Sequence, residues 1–309
     1  MKRKIFWLIL VIIAVMTAIF FLPFKQKPKV LTTNIDTVNK TINDANTDGD
    51  LDTVDGNFSS LINLLAENVS DSLRADATML AAAANPSVKF VNVIPGMRKE
   101  EIAELVGQKL SWAETDKSQF LNINKTIKTG NAEGYYYPDT YLLPSKASGY
   151  EVGKLMINRF NDEVMSRYAS STEKKVGINT AMKIASIIER EAAGKNDMRL
   201  ISGIMWNRIF KDMTLDIDAT LQYAKGNEDD GWWKKVVSED KFIDSPYNTY
   251  QNKGLTPTPI SNPQLASIEA ALNPKKTNCM FYLHDKYRRI HCSVTYKEHV
   301  KKIALYYGK

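Results

Sequence analysis

Apolar and polar positions follow several rhythms along the chain, and each marks a different kind of element. Residues 5–24 (IFWLILVIIAVMTAIFFLPF) carry no charge and are mostly apolar. At about 1.5 Å of rise per residue, some twenty such residues match a bilayer core of roughly 30 Å, so the run predicts one membrane-spanning helix. A cleaved signal peptide is the alternative, but its apolar region usually runs about 7 to 15 residues and ends in a small-x-small site, which is not visible here. Residues 35–60 are rich in Asn, Asp, Thr and Gly and carry no period, and residues 58–69 (FSSLINLLAENV) then resume a helical spacing. Further on, VKFVNV from Val88 alternates as a strand does, Pro95-Gly96 marks a turn, and RKEEIAELVGQKL (98–110) places Ile102, Leu105 and Val106 on one helical face. TAMKIASIIEREAA (180–193) is a second helix, closed by Gly194. Near the end, NCMFYLHDKYRRIHCSVTY (278–296) holds two β-rich runs that predict a hairpin turning at Asp285 and Lys286.

The expected fold class is α+β. Residues 1–29 form a cytoplasmic head and transmembrane anchor, 30–86 an acidic stalk, 87–130 a small α/β subdomain and 131–309 a larger α+β domain. The order of strand, IPGM turn and helix in the small unit resembles a LysM-like subdomain; an ordinary packing unit has the same pattern.

Charge sharpens this picture. The 309 residues include 41 Lys and Arg against 35 Asp and Glu, but Lys2, Arg3, Lys4, Lys25, Lys27 and Lys29 make up the whole excess. The basic balance therefore belongs to the flanks of the membrane run, and a nucleic-acid surface loses its compositional support. Three basic residues stand on each side of the apolar run, and the denser head favours an N-terminus inside, with the rest of the chain extracytoplasmic.

Two further features bear on ligands and compartment. In DANTDGDLDTVD, Asp44, Asn46, Asp48, Asp50 and Asp55 fall at positions 1, 3, 5, 7 and 12 of a calcium loop, with Gly49 at the sharp turn. The run resembles dockerin and EF-hand loops and predicts a structural Ca2+; a solvated acidic linker is the other reading. No catalytic cofactor is expected, since His284, His291 and His299 lack zinc-site spacing. The predicted hairpin register sets Cys279 opposite Cys292, either as a disulfide, which persists in an oxidising compartment, or as two facing thiols.

The 180–193 helix singles out one acid. At 100° per residue Ala181, Ile184, Ala185, Ile188 and Ala192 share a stripe, Glu191 falls on its margin and Glu189 points toward the wetter side. A carboxyl on a buried face loses hydration and holds its proton more tightly, as a general acid for glycosidic cleavage requires. The structural alternative is an ion pair with Arg190, Arg199 or Arg208. The aromatic cluster EGYYYPDTY (133–141) suits stacking on sugar rings, but its local pattern favours a core-facing loop.

Taken in order, EGYYYPDTY, ASIIERE (185–191), Asn207-Arg208, LDIDATLQY (215–223), SPYNTY (245–250) and GLTPTPISNP (254–263) closely resemble the MltG-type (YceG-like) endolytic murein transglycosylases, over roughly residues 88–309. The resemblance implies a single-pass membrane protein that cuts the MurNAc-β-1,4-GlcNAc bond within peptidoglycan glycan strands, with peptidoglycan synthases as further partners. The catalytic Glu of the family's E-K-E-T motif falls on Glu191. Asp218, Thr220, Tyr247, Asn248 and Thr249 match motif positions and are expected to line the saccharide cleft; Tyr135 and Tyr137 are the stacking candidates, and Glu133 supports a loop or contacts sugar. Glu189, Asn207, Arg208 and Asp216 are supporting residues. The chain departs from the family pattern at Ala192 (usually a hydroxyl residue), Asp216 (often Gln), Ala219 (Pro of a D-P-T motif), and Thr256 and Thr258 (Pro and Gly). In the implied mechanism Glu191 protonates the leaving oxygen and then deprotonates the C6 hydroxyl of the same sugar, giving a 1,6-anhydro end. Two other functions stay open: a muramidase using Asp216 or Asp218 as base, and a catalytically weak wall-binding scaffold.

Overall fold

A computed structural model describes residues 30–43, 87–123, 131–169, 172 and 175–308. The apolar run 5–24, the calcium-loop pattern 44–55 and the helix read at 58–69 lie outside the described residues. Among the described residues, no helix is long and apolar enough to cross a membrane, and no group of three or more His, Cys, Asp or Glu is placed to hold a metal.

The first described elements are two short antiparallel strands, β1 (Ile35–Asp36) and β2 (Thr41–Ile42). Their turn closes on the Asp36 carboxylate, which accepts from the backbone N–H groups of Val38 and Asn39. Leu31, Ile35 and Ile42 are buried in the larger core. This corrects the expectation that the polar stalk begins at residue 30: residues 31–43 are part of the folded body, held by three well-spaced apolar anchors.

The smaller core is built by β3 (Val88–Asn92), α1 (Lys99–Leu110), α2 (Glu114–Leu121), β4 (Thr140–Pro144) and α3 (Gly149–Glu163). The alternation read in VKFVN is used as predicted. β3 pairs antiparallel with β4, Val91 facing Tyr141, and Val91, Ile102, Val106, Phe120, Tyr136 and Leu143 close the core. Phe120 and Tyr136 stack with centroids 4.4 Å apart. The strand partner and the Tyr136 ring come from beyond residue 130, so a boundary there divides one packing unit, whose core runs on to Ile157. α3 packs tightly on α2: a Cβ at Gly149 would stand 1.8 Å from the Asp116 carbonyl oxygen.

The larger core centres on α4 (Ile178–Glu191), flanked by α5 (Lys195–Phe210) and α7 (Leu265–Leu272). Ala181, Ile184, Ala185 and Ile188, the stripe predicted from the sequence, are all fully buried. The short helix α6 (Asp218–Lys225) follows α5. The 254–263 segment lies along α4, where the Ser186 hydroxyl accepts from Ile260 N–H (3.0 Å) and the Ser261 hydroxyl donates to the Ser186 carbonyl (3.0 Å).

The chain closes with β5 (Phe281–His284), β6 (Ile290–Ser293) and α8 (Tyr296–Tyr307), capped by Thr295. Here the predicted register is corrected. Tyr282, not Cys279, stands opposite Cys292, because the turn is longer: Asp285 gathers the N–H groups of Tyr287 and Arg289, and Arg288 takes a left-handed φ of 63°. Cys279, just before β5, is nonetheless disulfide-bonded to Cys292, with Cα atoms 5.8 Å apart. A crosslink closing a loop of about 15 residues is worth about 3 kcal/mol. Replacing both cysteines by serine is therefore expected to lower the midpoint of thermal unfolding by several degrees, and reductant should do the same to the parent protein but not to the variant.

Candidate active site

α4 ends at Glu191, two residues sooner than its apolar pattern suggested. Ala192 is already extended (φ −70°, ψ 136°), and Gly194 is extended rather than left-handed (φ −178°). The last helical residue thus carries its carboxyl out of the core stripe onto the rim. There the Tyr282 hydroxyl donates to Glu191 Oε2 at 2.8 Å. Burial raises the proton affinity of Glu191, and the nearby Asp218 charge adds to this. The Tyr282 hydroxyl, the Ala219 backbone N–H and His284 act in the opposite sense, and the balance stays above the ordinary carboxylate value. The three arginines that could have formed an ion pair with it are engaged elsewhere. Arg190 lies 3.7 Å from the Trp233 ring centroid and reaches the Gly96 carbonyl, Arg199 donates to the Asn273 carbonyl, and Arg208 holds Leu215 and Asp216.

The acid is bordered by Asp218, exposed at the start of α6, which accepts from the Tyr250 hydroxyl at 2.6 Å. Behind it, His284 Nε2 lies 3.0 Å from Asp197 Oδ2, which also accepts from Ala193 N–H. The segment just after the acid is thereby fixed. Asp216 is turned away: it has φ 53°, and its carboxylate is paired with Arg208 at 2.8 Å.

Several residues expected to line the cleft instead frame it. Thr220 and Thr249 are buried and bonded to each other (2.8 Å), while Thr249 Oγ1 accepts from Ile217 N–H and so fixes the entry to α6. Asn248 is fully buried; its amide donates to the carbonyls of Lys241 and Ile243, and its Oδ1 accepts from Tyr250 N–H. These bonds tie the turn that carries Tyr250. Asn248→Ala would leave the Ile243 carbonyl and the Tyr250 N–H without their partner, while the Lys241 carbonyl keeps the Gln251 amide, so it is expected to cost about 2–3 kcal/mol in denaturant unfolding of the full chain.

Tyr135 is also corrected from a stacking platform to a core residue: it is 4% exposed, its ring edge-on to Phe160. Tyr137 is half-buried against the larger core. Tyr247 packs on Tyr223 with centroids 4.8 Å apart and bonds Thr258 through its hydroxyl. Glu133 is fully buried and accepts from Lys99 N–H, the Asn262 amide and the Tyr223 hydroxyl, linking α1, the 254–263 segment and α6. Glu189 accepts from the Gln264 N–H and the Ser267 hydroxyl at the start of α7. Asn207 donates to the carbonyls of Thr277 and Cys279, below the hairpin.

Sequence reasoning missed Tyr282 and Tyr250. Tyr250 closes the SPYNTY motif and was within reach. Tyr282 offers no signal beyond its place in a β-rich run.

A profile of the YceG-like family matches residues 53–305, beginning well before the residue-88 limit of the resemblance seen in the motifs. An endolytic murein transglycosylase of Bacillus subtilis (strain 168) is 35% identical over 234 residues, which are 74% of this chain and 61% of that protein. One from Streptococcus pneumoniae serotype 2 is 32% identical over 154 residues, half of this chain and 28% of that protein. The chain therefore spans less than two thirds of each of these relatives. The crystal structure of a yceG-like protein from Listeria monocytogenes superposes with a TM-score of 0.61 at 29% identity, covering 70% of this chain and 76% of that one.

Proposed function

The chain belongs to the YceG-like family, and from that premise we propose that it is an endolytic lytic transglycosylase of peptidoglycan, with Glu191 as its general acid and then its base. The observation that carries this reading is a single carboxyl at a helix end, whose burial raises its proton affinity and to which the Tyr282 hydroxyl donates. Glu191 protonates the GlcNAc oxygen that leaves C1 of MurNAc. As a carboxylate it then accepts the proton of the C6 hydroxyl, whose oxygen closes on C1 to give the 1,6-anhydro end. The substrate's own N-acetyl oxygen can stabilise the charge at C1 in between, so a second nucleophilic carboxylate is not required. Asp218, exposed beside the acid, is suited to a sugar hydroxyl or to the developing positive charge, and Tyr250 holds it there.

The remaining assignments belong to the same reading. Residues 5–24 anchor the protein in the cytoplasmic membrane with the catalytic part outside, where the Cys279–Cys292 disulfide would persist. The β3–α1 unit, read as LysM-like, guides the glycan strand, and residues 44–55 hold a structural calcium ion. Peptidoglycan synthases are its natural partners.

The deciding experiment is mass spectrometry of purified glycan strands incubated with the full chain in detergent. Internal cuts with anhydro-MurNAc ends support the reading. Reducing MurNAc ends would replace it with a hydrolase in which Asp218 activates water, and no cuts by folded protein would favour the scaffold.

A further inference from the structure

We propose that Glu191 is held in its working position by the Tyr282 hydroxyl, reaching it from β5. This rests on the reading of Glu191 as the acid and deepens it by naming its positioning residue.

A carboxyl at the last residue of a helix has rotamers that no following turn restrains, yet an acid must present one oxygen to the glycosidic bond. Tyr282 anchors Oε2 at 2.8 Å. Its own burial and the facing Glu191 charge keep the phenol protonated, so it remains a donor.

The frame behind this hydroxyl is rigid. Tyr282 stands directly across from Cys292, whose disulfide to Cys279 closes the base of the hairpin. Asn207 holds the Thr277 and Cys279 carbonyls, and the Arg208 guanidinium lies 5.0 Å from the centroid of the adjoining Phe281 ring. The Tyr282 donor favours the ionised form. It supports Glu191 in the interval between its two proton transfers, when it must wait as a base beside a cationic sugar.

The test uses the full chain in detergent with one substitution, Tyr282→Phe, which removes one hydroxyl. Two readouts are taken: glycan cleavage as kcat and KM, and the pH dependence of carbodiimide labelling on the peptide bearing Glu191. The second needs no turnover.

For Tyr282→Phe, kcat should fall by about ten- to a hundredfold while KM stays within about twofold, since the residue acts through Glu191. The labelling midpoint should move about one pH unit upward, because a carboxylate that loses a donor holds its proton more tightly. An unmoved midpoint in Tyr282→Phe overturns the proposal, including the case where kcat falls, since that pattern belongs to a merely structural tyrosine. If the parent protein cuts no glycan, the activity reading fails, and the labelling midpoints still decide the positioning.

Discussion

Glu191→Gln is expected to lower the rate of glycan cleavage by at least about 10³-fold and to leave the fold intact. General acid or base catalysis by one positioned group is worth about 10²–10⁴-fold, and in the proposed reaction the same carboxyl performs both transfers, which places the loss toward the upper end. Glutamine keeps the volume and an acceptor oxygen for Tyr282, so the packing around the site has no reason to change. It also removes a carboxyl whose ionisation is disfavoured by burial. Thermal unfolding should therefore show a variant as stable as the parent or slightly more so. A variant that keeps more than about a tenth of the parent rate would move the acid's role to another group, with Asp218 the nearest candidate. A variant that loses both activity and stability would mark Glu191 as structural.

Glu191 could be found without a structure because the choice between it and Glu189 depends on the geometry of its own helix. Ala181, Ile184 and Ile188 define a buried stripe, and the margin of that stripe is a local property. Tyr282 could not be found so. Which face of β5 meets α4 depends on the hairpin register, and the register depends on a turn whose length is set by Asp285 collecting two N–H groups and by Arg288 adopting a left-handed conformation. The cysteines suggested a shorter turn; they meet in spite of the different register because Cys279 lies outside the strand. Motif resemblance located Thr220, Asn248 and Thr249 near the site. It could not separate residues that touch a ligand from those that hold the residues that do, since the difference is one of burial, set by partners far along the chain. The same limit explains the start of the folded body. Leu31, Ile35 and Ile42 are too sparse to register as a pattern in a polar stretch, yet all three are buried.

The second large effect is expected at Glu133, as a dependence of stability on pH. This carboxyl is fully buried, and burial, with the Glu100 charge adding to it, pushes its pKa up to about 8, against the pull of Lys99 and Arg98. A carboxyl in the unfolded chain titrates near about 4.3. The folded state therefore binds the proton more tightly, so this contribution to stability is complete below about pH 4 and is lost as pH rises toward about 8, by up to about 1.4 kcal/mol per pH unit. Glu133→Gln should flatten that slope. Its oxygen can still accept from Lys99 N–H and the Asn262 amide, and its NH₂ can donate to the Tyr223 hydroxyl, as the protonated acid would. At pH 8 the variant should match or exceed the parent in urea unfolding of the full chain. Glu133→Ala leaves Lys99 N–H and the Tyr223 hydroxyl without an acceptor and the Asn262 amide with only the Met97 carbonyl, and should cost about 3–5 kcal/mol at any pH. If the glutamine variant is instead destabilised at pH 8 as severely as the alanine variant, Glu133 is ionised in the folded protein and held by the positive end of α1 and by Arg98. Either outcome bears on the site, because Tyr223 shares this two-turn helix with Asp218, whose charge lies near Glu191: what Glu133 fixes in α6 also sets where Asp218 stands.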